Sequence, residues 1–356
     1  MTGIESFLTY TLVFAVSIIC MSYYRDEKIN VVNITGLLIV VLFAAYRFRV
    51  GADYVQYTRN FYRYYQMPWS SLFNSMDDGY ALAALVKILY GLGGNQIAFG
   101  MCALLTVFPI YYVLRKEYPN NCVPVSLYWF LTTGYIQSFT VTSQLVAVGI
   151  MFYGIKFIYS NRLGKYIATV FVAFLFHKSA LISTVLFFFW DHKNRRIVSK
   201  KRIVIILAAT LAVAYFYHQI IRILSNRYVL FNNYSYFSNV VEARNRDFYV
   251  SVFQLLVVII FAGKLKRFDS RNEMLILMLT VSTIIGLTGF THPQFKRIAY
   301  YFYIPSTTLL IGSLANMHVL INGRRWRVAA IEVAYATALF LLEYYILGSL
   351  HYSFKL

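Results

Sequence analysis

The stretch Arg47-Phe48-Arg49-Val50-Gly51-Ala52-Asp53-Tyr54 decides how this chain is read. It follows a second long apolar run, is the first large polar break in the sequence, and continues through Tyr57, Arg59, Tyr62 and Arg63. Two arginines, a glycine and a carboxylate stand close together here. That set can grip an anionic phosphate and leave an acid for chemistry. Its meaning depends on which compartment it faces.

Composition sets the frame for that question. The chain has 356 residues, of which 59% are hydrophobic and 13% charged, and its mean hydropathy is +0.58. Soluble domains carry about 25% charged residues, so this chain belongs in a membrane. Its apolar runs are roughly 17–22 residues long, the length of a helix crossing ~30 Å of hydrocarbon. They lack the period-two alternation of an outer-membrane barrel. The expectation is an all-α integral membrane protein, a polytopic helical bundle forming one domain over residues 1–356.

Cys20, Cys102 and Cys122 sit within or at the end of apolar runs, which is neither a disulfide framework nor a metal-ligand spacing. No HxxxH or His-carboxylate spacing marks a metal site among the histidines. No metal and no cofactor is expected. The net charge of +19 raises nucleic-acid binding only to lose it. The basic residues lie in short loops between spans, and no soluble basic domain exists to carry that function.

Loop charges orient the spans, because short cytoplasmic loops collect Lys and Arg. The run at 4–24 has no basic residue before it, and Arg25 and Lys28 follow it. The N-terminus is therefore expected outside, with no basic signal-peptide region. A return at 29–46 places the Arg47–Asp53 stretch outside. The densest basic segment, from Asp191 to Arg202, is expected inside. From it, later spans near 203–222, 248–263, 273–290, 298–316 and 328–347 leave 223–247 and 291–297 outside. Earlier spans near 96–114, 122–140, 142–159, 164–176 and 178–190 put the His177-Lys178 turn and Ser143-Gln144 outside.

The two halves agree only if residues 78–93 do not cross. That stretch is short, contains Lys87 and ends in Gly91, Gly93 and Gly94, which suits a re-entrant or interfacial helix. This gives about twelve crossings with both termini outside. A full span there, with a reversed N-terminal hairpin, is the alternative.

In this topology the outer face holds more cations than the orientation rule explains. They cluster as Arg47, Arg49, Arg59 and Arg63, as Arg222, Arg227, Arg244 and Arg246, and as Lys296 and Arg297. Arginine offers a planar, always-charged fork for phosphate. Anchoring on anionic headgroups is the structural alternative, above all for Arg59, Arg63 and Arg222.

The outer motifs resemble the EpsG family, polymerases of exopolysaccharide and O-antigen of the Wzy kind. Arg47-x-Arg49-Val50-Gly51-Ala52-Asp53, followed by Tyr57, is similar to that family's first-loop signature. Asp78-Gly79-Tyr80 stands where the family has an acidic residue, a glycine and an aromatic. Phe176-His177-Lys178-Ser179-Ala180-Leu181-Ile182 matches its Phe-His-x-Ser-Ala-Leu-Ile element, and Arg297-Ile298-Ala299-Tyr300-Tyr301-Phe302 matches its late Arg-Ile-x-x-Tyr-Phe element. One departure stands out: Ser143-Gln144 occupies the place of the family's Arg-Gln. The resemblance runs from about residue 45 to 305.

The resemblance implies a metal-independent glycosyltransferase of GT-C-like architecture in a bacterial inner membrane, with its active face outside near 47–77, 223–247 and 291–297. Its donor and acceptor would be undecaprenyl-diphosphate-linked oligosaccharide repeats, with a chain-length regulator as a candidate partner. Leaving diphosphate needs cations, and the attacking hydroxyl needs a group to take its proton. Asp53, His177 and Arg297 are the candidate catalytic residues. Arg47, Arg49, Gly51, Tyr57, Asp78, Gln144, Lys178, Arg244, Arg246, His292, Lys296 and Tyr300 are the candidate substrate-binding residues.

Structural alternatives stand beside these roles. Asp53 pairs with Arg47 or Arg49, His177 packs at a helix end, Asp77-Asp78 sits in solvent, and the aromatic segment 227–237 is an interfacial belt. A flippase of lipid-linked glycan would need paired ionisable groups deep in several spans or repeated broken helices, and neither is visible. An O-antigen ligase or another lipid-phosphate glycosyltransferase keeps the same chemistry with a different acceptor. No His-centred constellation suggests an O-acyltransferase.

Overall fold

The computed structural model describes residues 3–24, 28–72, 79–216, 219, 246–290, 295–321 and 324–345. These residues are almost wholly helical, and each of the twelve apolar runs carries helical structure in its described part. Among the described residues, five helices are long and apolar enough to cross a membrane: Glu5–Ser22, Gly94–Glu117, Thr142–Tyr159, Asp247–Phe268 and Asn272–Phe290. The chain divides into two compact units. One comprises Met1–Lys156, Gly164–Leu181 and Ile311–Leu356, and the other Phe157–Leu163 and Ile182–Leu310.

The first unit opens with α1 (Gly3–Ser22) and α2 (Val31–Ala45). One residue closes their turn. Asn30 and Asn33 exchange side-chain bonds with each other's backbone amides at 3.1 Å, the reciprocal cap that fixes a helix start. The Asn33 amide then donates to Cys20 and Tyr23 carbonyls at 2.9 and 2.8 Å, satisfying the orphan acceptors at the end of α1. Outward, Leu8, Leu12 and Ile19 of α1 remain exposed, as expected of a helix solvated by lipid. Inward, Tyr10 and Phe14 each pack edge to face on Phe43 and also meet Phe340 of the C-terminal helix.

Between α2 and the first long internal helix the chain forms a compact excursion. It contains α3 (Tyr54–Gln66), α4 (Trp69–Leu72) and α5 (Tyr80–Leu89), then a 3-10 turn at Tyr90–Leu92. The ten residues of α5 rise only about 15 Å, half the hydrocarbon thickness. Lys87, the charge in this stretch, donates from its ammonium to the Tyr65 carbonyl at 3.0 Å and also to that of Met67. It thereby closes the C-terminus of α3. Next, α6 (Gly94–Glu117) runs 24 residues, about 36 Å.

Two of the expected spans take other helical forms. The run at 122–140 is α7 (Val123–Phe130) followed by a π turn at Leu131–Tyr135, and it breaks before α8 (Thr142–Tyr159). The run at 178–190 is a 3-10 helix, Lys178–Phe189, entered from α9 (Leu163–Phe176). A 3-10 helix rises ~2 Å per residue, so these twelve residues extend further than an α-helix of equal length.

In the second unit, α10 (Lys200–Tyr215) precedes a hairpin of α11 (Arg246–Phe268) and α12 (Asn272–Gly286). The hairpin turn is locked by polar groups. Asp269 accepts from the Arg271 amide and guanidinium at 2.8 Å, Asn272 donates to the Leu265 carbonyl at 2.9 Å, and Lys266 pairs with Glu273 at 2.7 Å. Helices α13 (Tyr300–Leu314) and α14 (Val328–Tyr345) complete the described chain. The only strands among the described residues are two short antiparallel hairpins, β1 (Trp190–Asp191) with β2 (Arg196–Ile197) and β3 (His318–Ile321) with β4 (Arg324–Arg327). Both form in basic loops between helices.

Candidate functional site

The Arg47–Asp53 loop is laid directly on the break between α7 and α8. Arg49 and Gly51 both adopt positive φ, +55° and +96°, so the chain turns sharply within three residues. A Cβ on Gly51 would lie 2.1 Å from the Phe139 carbonyl oxygen, so no other residue fits. Hydroxyls of the 140–143 turn then receive the loop. Thr140 accepts from the Ala52 amide at 3.3 Å, and Thr142 accepts from the Arg47 guanidinium at 3.3 Å. The Tyr57 hydroxyl lies 3.1 Å from the Ser143 hydroxyl and accepts from the Ser143 amide at 3.2 Å.

The two arginines of the motif part company. Arg47 is 3% exposed, with its guanidinium between the rings of Phe99 and Phe139 at 4.3 and 4.4 Å. Cation–π contacts are worth about 2 kcal/mol or more when desolvated, so this sandwich offsets part of the burial. Arg49 is exposed, with its guanidinium 5.4 Å from the neighbouring Phe48 ring. It is the arginine of this pair that can meet a ligand.

Asp53 is half-buried at the head of α3. Its carbonyl accepts from the Tyr57 amide at 2.9 Å, while its carboxylate makes no capping bond. The usual structural use of aspartate at a helix start is therefore not its role. Tyr54 stacks on Phe99 at 5.2 Å. Burial pushes the Tyr54 phenol above its ordinary value, against the pull of Arg47 and Arg49. On α3, Tyr54, Tyr57, Phe61 and Tyr64 face inward, whereas Gln56, Arg59 and Tyr62 face out.

A second motif junction lies in the same unit. Gly79 has φ +137°, and a Cβ there would approach the Phe176 carbonyl oxygen to 2.3 Å. The Gly79-Tyr80 element thus sits on the end of α9, immediately before His177. The His177 Nδ1 lies 2.6 Å from the Ser179 hydroxyl, which fixes the ring. His177 and Lys178 are half-buried, and Gln144 is buried in the first turn of α8.

In the second unit, Lys296 and Arg297 lie on a 3-10 turn, Phe295–Ala299, and Tyr300 is buried at the start of α13. Lys296 pairs with Asp247 at 2.9 Å, which ties the turn to the first residues of α11. Arg297 is half-buried, and Arg246 is the first residue of α11. Asp78, Arg244 and His292 lie outside the described residues. Among the described residues no group of three or more His, Cys, Asp or Glu is placed to hold a metal.

Sequence reasoning overlooked Phe99, Phe139, Thr140 and Thr142, which hold the first loop, and Asp247, which holds Lys296. The run Ser138-Phe139-Thr140-Val141-Thr142-Ser143 was the available signal, since hydroxyl residues in sequence favour turns and helix starts. Ser143 of this run is the hydroxyl that meets Tyr57.

The EpsG family model matches residues 30–354, spanning all of these motifs. The chain belongs to the EpsG family. No curated protein and no solved structure matches it. As an EpsG-family chain with several long apolar helices, it is a multi-pass membrane protein of a group linked to exopolysaccharide biosynthesis.

Proposed function

We propose that this EpsG-family chain is a polysaccharide polymerase. It joins undecaprenyl-diphosphate-linked oligosaccharide repeats on the outer face of a bacterial inner membrane, crosses that membrane about twelve times, and has a GT-C-like build. The observation that carries the reading is the immobilised first loop. Gly51 rests on the Phe139 carbonyl and Arg47 is clamped between two rings. The exposed Arg49 and the half-buried Asp53 stand two residues to either side of that glycine. Preorganised charges are what a glycosyl transfer with a diphosphate leaving group requires.

In this reaction the anomeric carbon of the growing chain leaves its diphosphate oxygen and bonds to a hydroxyl of the incoming repeat. Asp53 accepts the hydroxyl proton, and undecaprenyl diphosphate departs with the electron pair. Arg49 neutralises that charge as a fork. Arg297, which opens the late Arg-Ile-x-x-Tyr-Phe element, serves in this reading as a further cation for a diphosphate, with Lys296 and Tyr300 beside it. His177, held by Ser179, orients a sugar hydroxyl. A chain-length regulator is a proposed partner.

Deletion of the chain in its native strain, read on a glycan gel, tests the reading. Loss of the long ladder with a single repeat retained supports a polymerase. Loss of every repeat would identify a flippase instead.

A further inference from the structure

The second unit contains a cleft unrelated to the family motifs. It has a volume of about 630 Å³ and is bounded by β2, α10, α11 and α12. Its chemistry changes along its length. At one end stand Arg196, Lys200 and Lys266, together with Glu273, whose charge Lys266 matches at 2.7 Å. One to two helical turns further in, the walls are Ile203, Leu207, Ile276 and Leu277. At the far end along α12, the Thr280 hydroxyl donates back to the Ile276 carbonyl at 2.9 Å. The cleft is thus cationic at its mouth and apolar within, over about 11 Å.

Two features leave this cleft open. A Cβ on Gly263, in the wall supplied by α11, would meet no atom within 4 Å. Helix α10 has no buried residue at all, although it is apolar along most of its length. An apolar helix uncovered by protein gives its surface to lipid, and α11 beside it is among the helices able to cross the bilayer.

We propose that this cleft binds an anionic membrane phospholipid, its phosphate held by Arg196 and Lys200 and an acyl chain running between Leu207 and Ile276. The order of charged mouth and apolar depth matches a lipid standing along the membrane normal. The Lys266–Glu273 pair leaves a net positive mouth, which selects an anionic head over a zwitterionic one. In the orientation expected from the loop charges, this is the cytoplasmic leaflet, opposite the proposed chemistry. The site stands independently of the polymerase reading.

The test uses the purified full-length protein in detergent, titrated separately with phosphatidylglycerol, phosphatidylcholine and a polyprenyl phosphate, with thermal melting and native mass spectrometry as readouts. Phosphatidylglycerol is expected to raise the melting temperature more than phosphatidylcholine at equal concentration. Each cation near an anionic head is worth about fivefold in affinity. The double variant Arg196→Gln/Lys200→Gln should therefore bind phosphatidylglycerol on the order of tenfold or more weakly. Gly263→Trp fills the slot without altering charge and should likewise abolish the preference, with its lipid-free melting unchanged. Equal shifts from both phospholipids, or a preference surviving in the Gln double variant, would overturn the proposal. Displacement of phosphatidylglycerol by polyprenyl phosphate at lower concentration would overturn it too, by assigning the cleft to the carrier lipid.

Discussion

Tyr57 and Ser143, 86 residues apart, meet twice. Their hydroxyls lie 3.1 Å from one another, and the Ser143 amide donates to the Tyr57 hydroxyl at 3.2 Å. That amide is in the first turn of α8, where the helix supplies no backbone acceptor for it, so a side chain of α3 caps a distant helix. Tyr57→Phe leaves buried donors and should destabilise the protein by about 1–3 kcal/mol. A double-mutant cycle with Ser143→Ala should return a coupling of ~0.5–3 kcal/mol, read by thermal or denaturant unfolding in detergent. Additive single effects would mean the contact carries no energy.

Gly51 and Gly164 predict opposite outcomes for the same substitution. Gly51→Ala would drive a Cβ into the Phe139 carbonyl at positive φ, so a lowered melting temperature and loss of polymer are expected. Gly164 has nothing within 4 Å of its would-be Cβ and lies in α9. Gly164→Ala should be neutral or stabilising by up to about 1 kcal/mol. Comparable melting of the two variants would contradict the close approach at Gly51.

The two arginines of the motif are separable by assay. Arg47→Ala removes the ring sandwich and the Thr142 contact, and it should reduce melting temperature and polymer together. Arg49 is exposed, so Arg49→Ala should leave stability within about 0.5 kcal/mol while raising the donor concentration needed for half-maximal rate. Unchanged donor dependence in the Arg49 variant would remove it from the substrate site.

Asp53→Asn keeps the shape of the side chain and removes its basicity. General-base catalysis is worth about 10²–10⁴ in rate, so polymerisation of purified lipid-linked repeat at saturating donor should fall by that factor with donor binding unchanged. Normal turnover with poor binding would instead make Asp53 a positioning residue for the loop.

Arg297→Ala should abolish chain extension at normal protein level in the membrane. Arg297→Lys should restore little, because a point charge does not reproduce a bidentate fork. A Lys variant with near-normal polymer length on a glycan gel would reduce Arg297 to simple charge attraction.

Much of this architecture is local and therefore legible in the amino-acid order. The length of each apolar run set where helices form, from 4–24 to 328–347, because a helix satisfies its own backbone in lipid and run length matches bilayer thickness. Four motifs in order carried the family. Other features depended on contacts between distant positions. Nothing in the spacing of Arg47 and Arg49 says that the first is sealed between Phe99 and Phe139 and the second is exposed. Likewise, Gly51 and Gly79 read as flexible until the Phe139 and Phe176 carbonyls are seen against them. Lys87, read as a charge unsuited to a span, closes α3 through the Tyr65 carbonyl. The 3-10 form of Lys178–Phe189 and the break at 138–141 also escaped hydropathy, which reports burial in lipid and is blind to the pitch of the helix that achieves it. Hydropathy and propensity act over one or two turns, whereas close backbone approaches and ring sandwiches are properties of the packed chain. The tertiary structure alone decided which arginine of the motif is sealed in the protein and which is exposed.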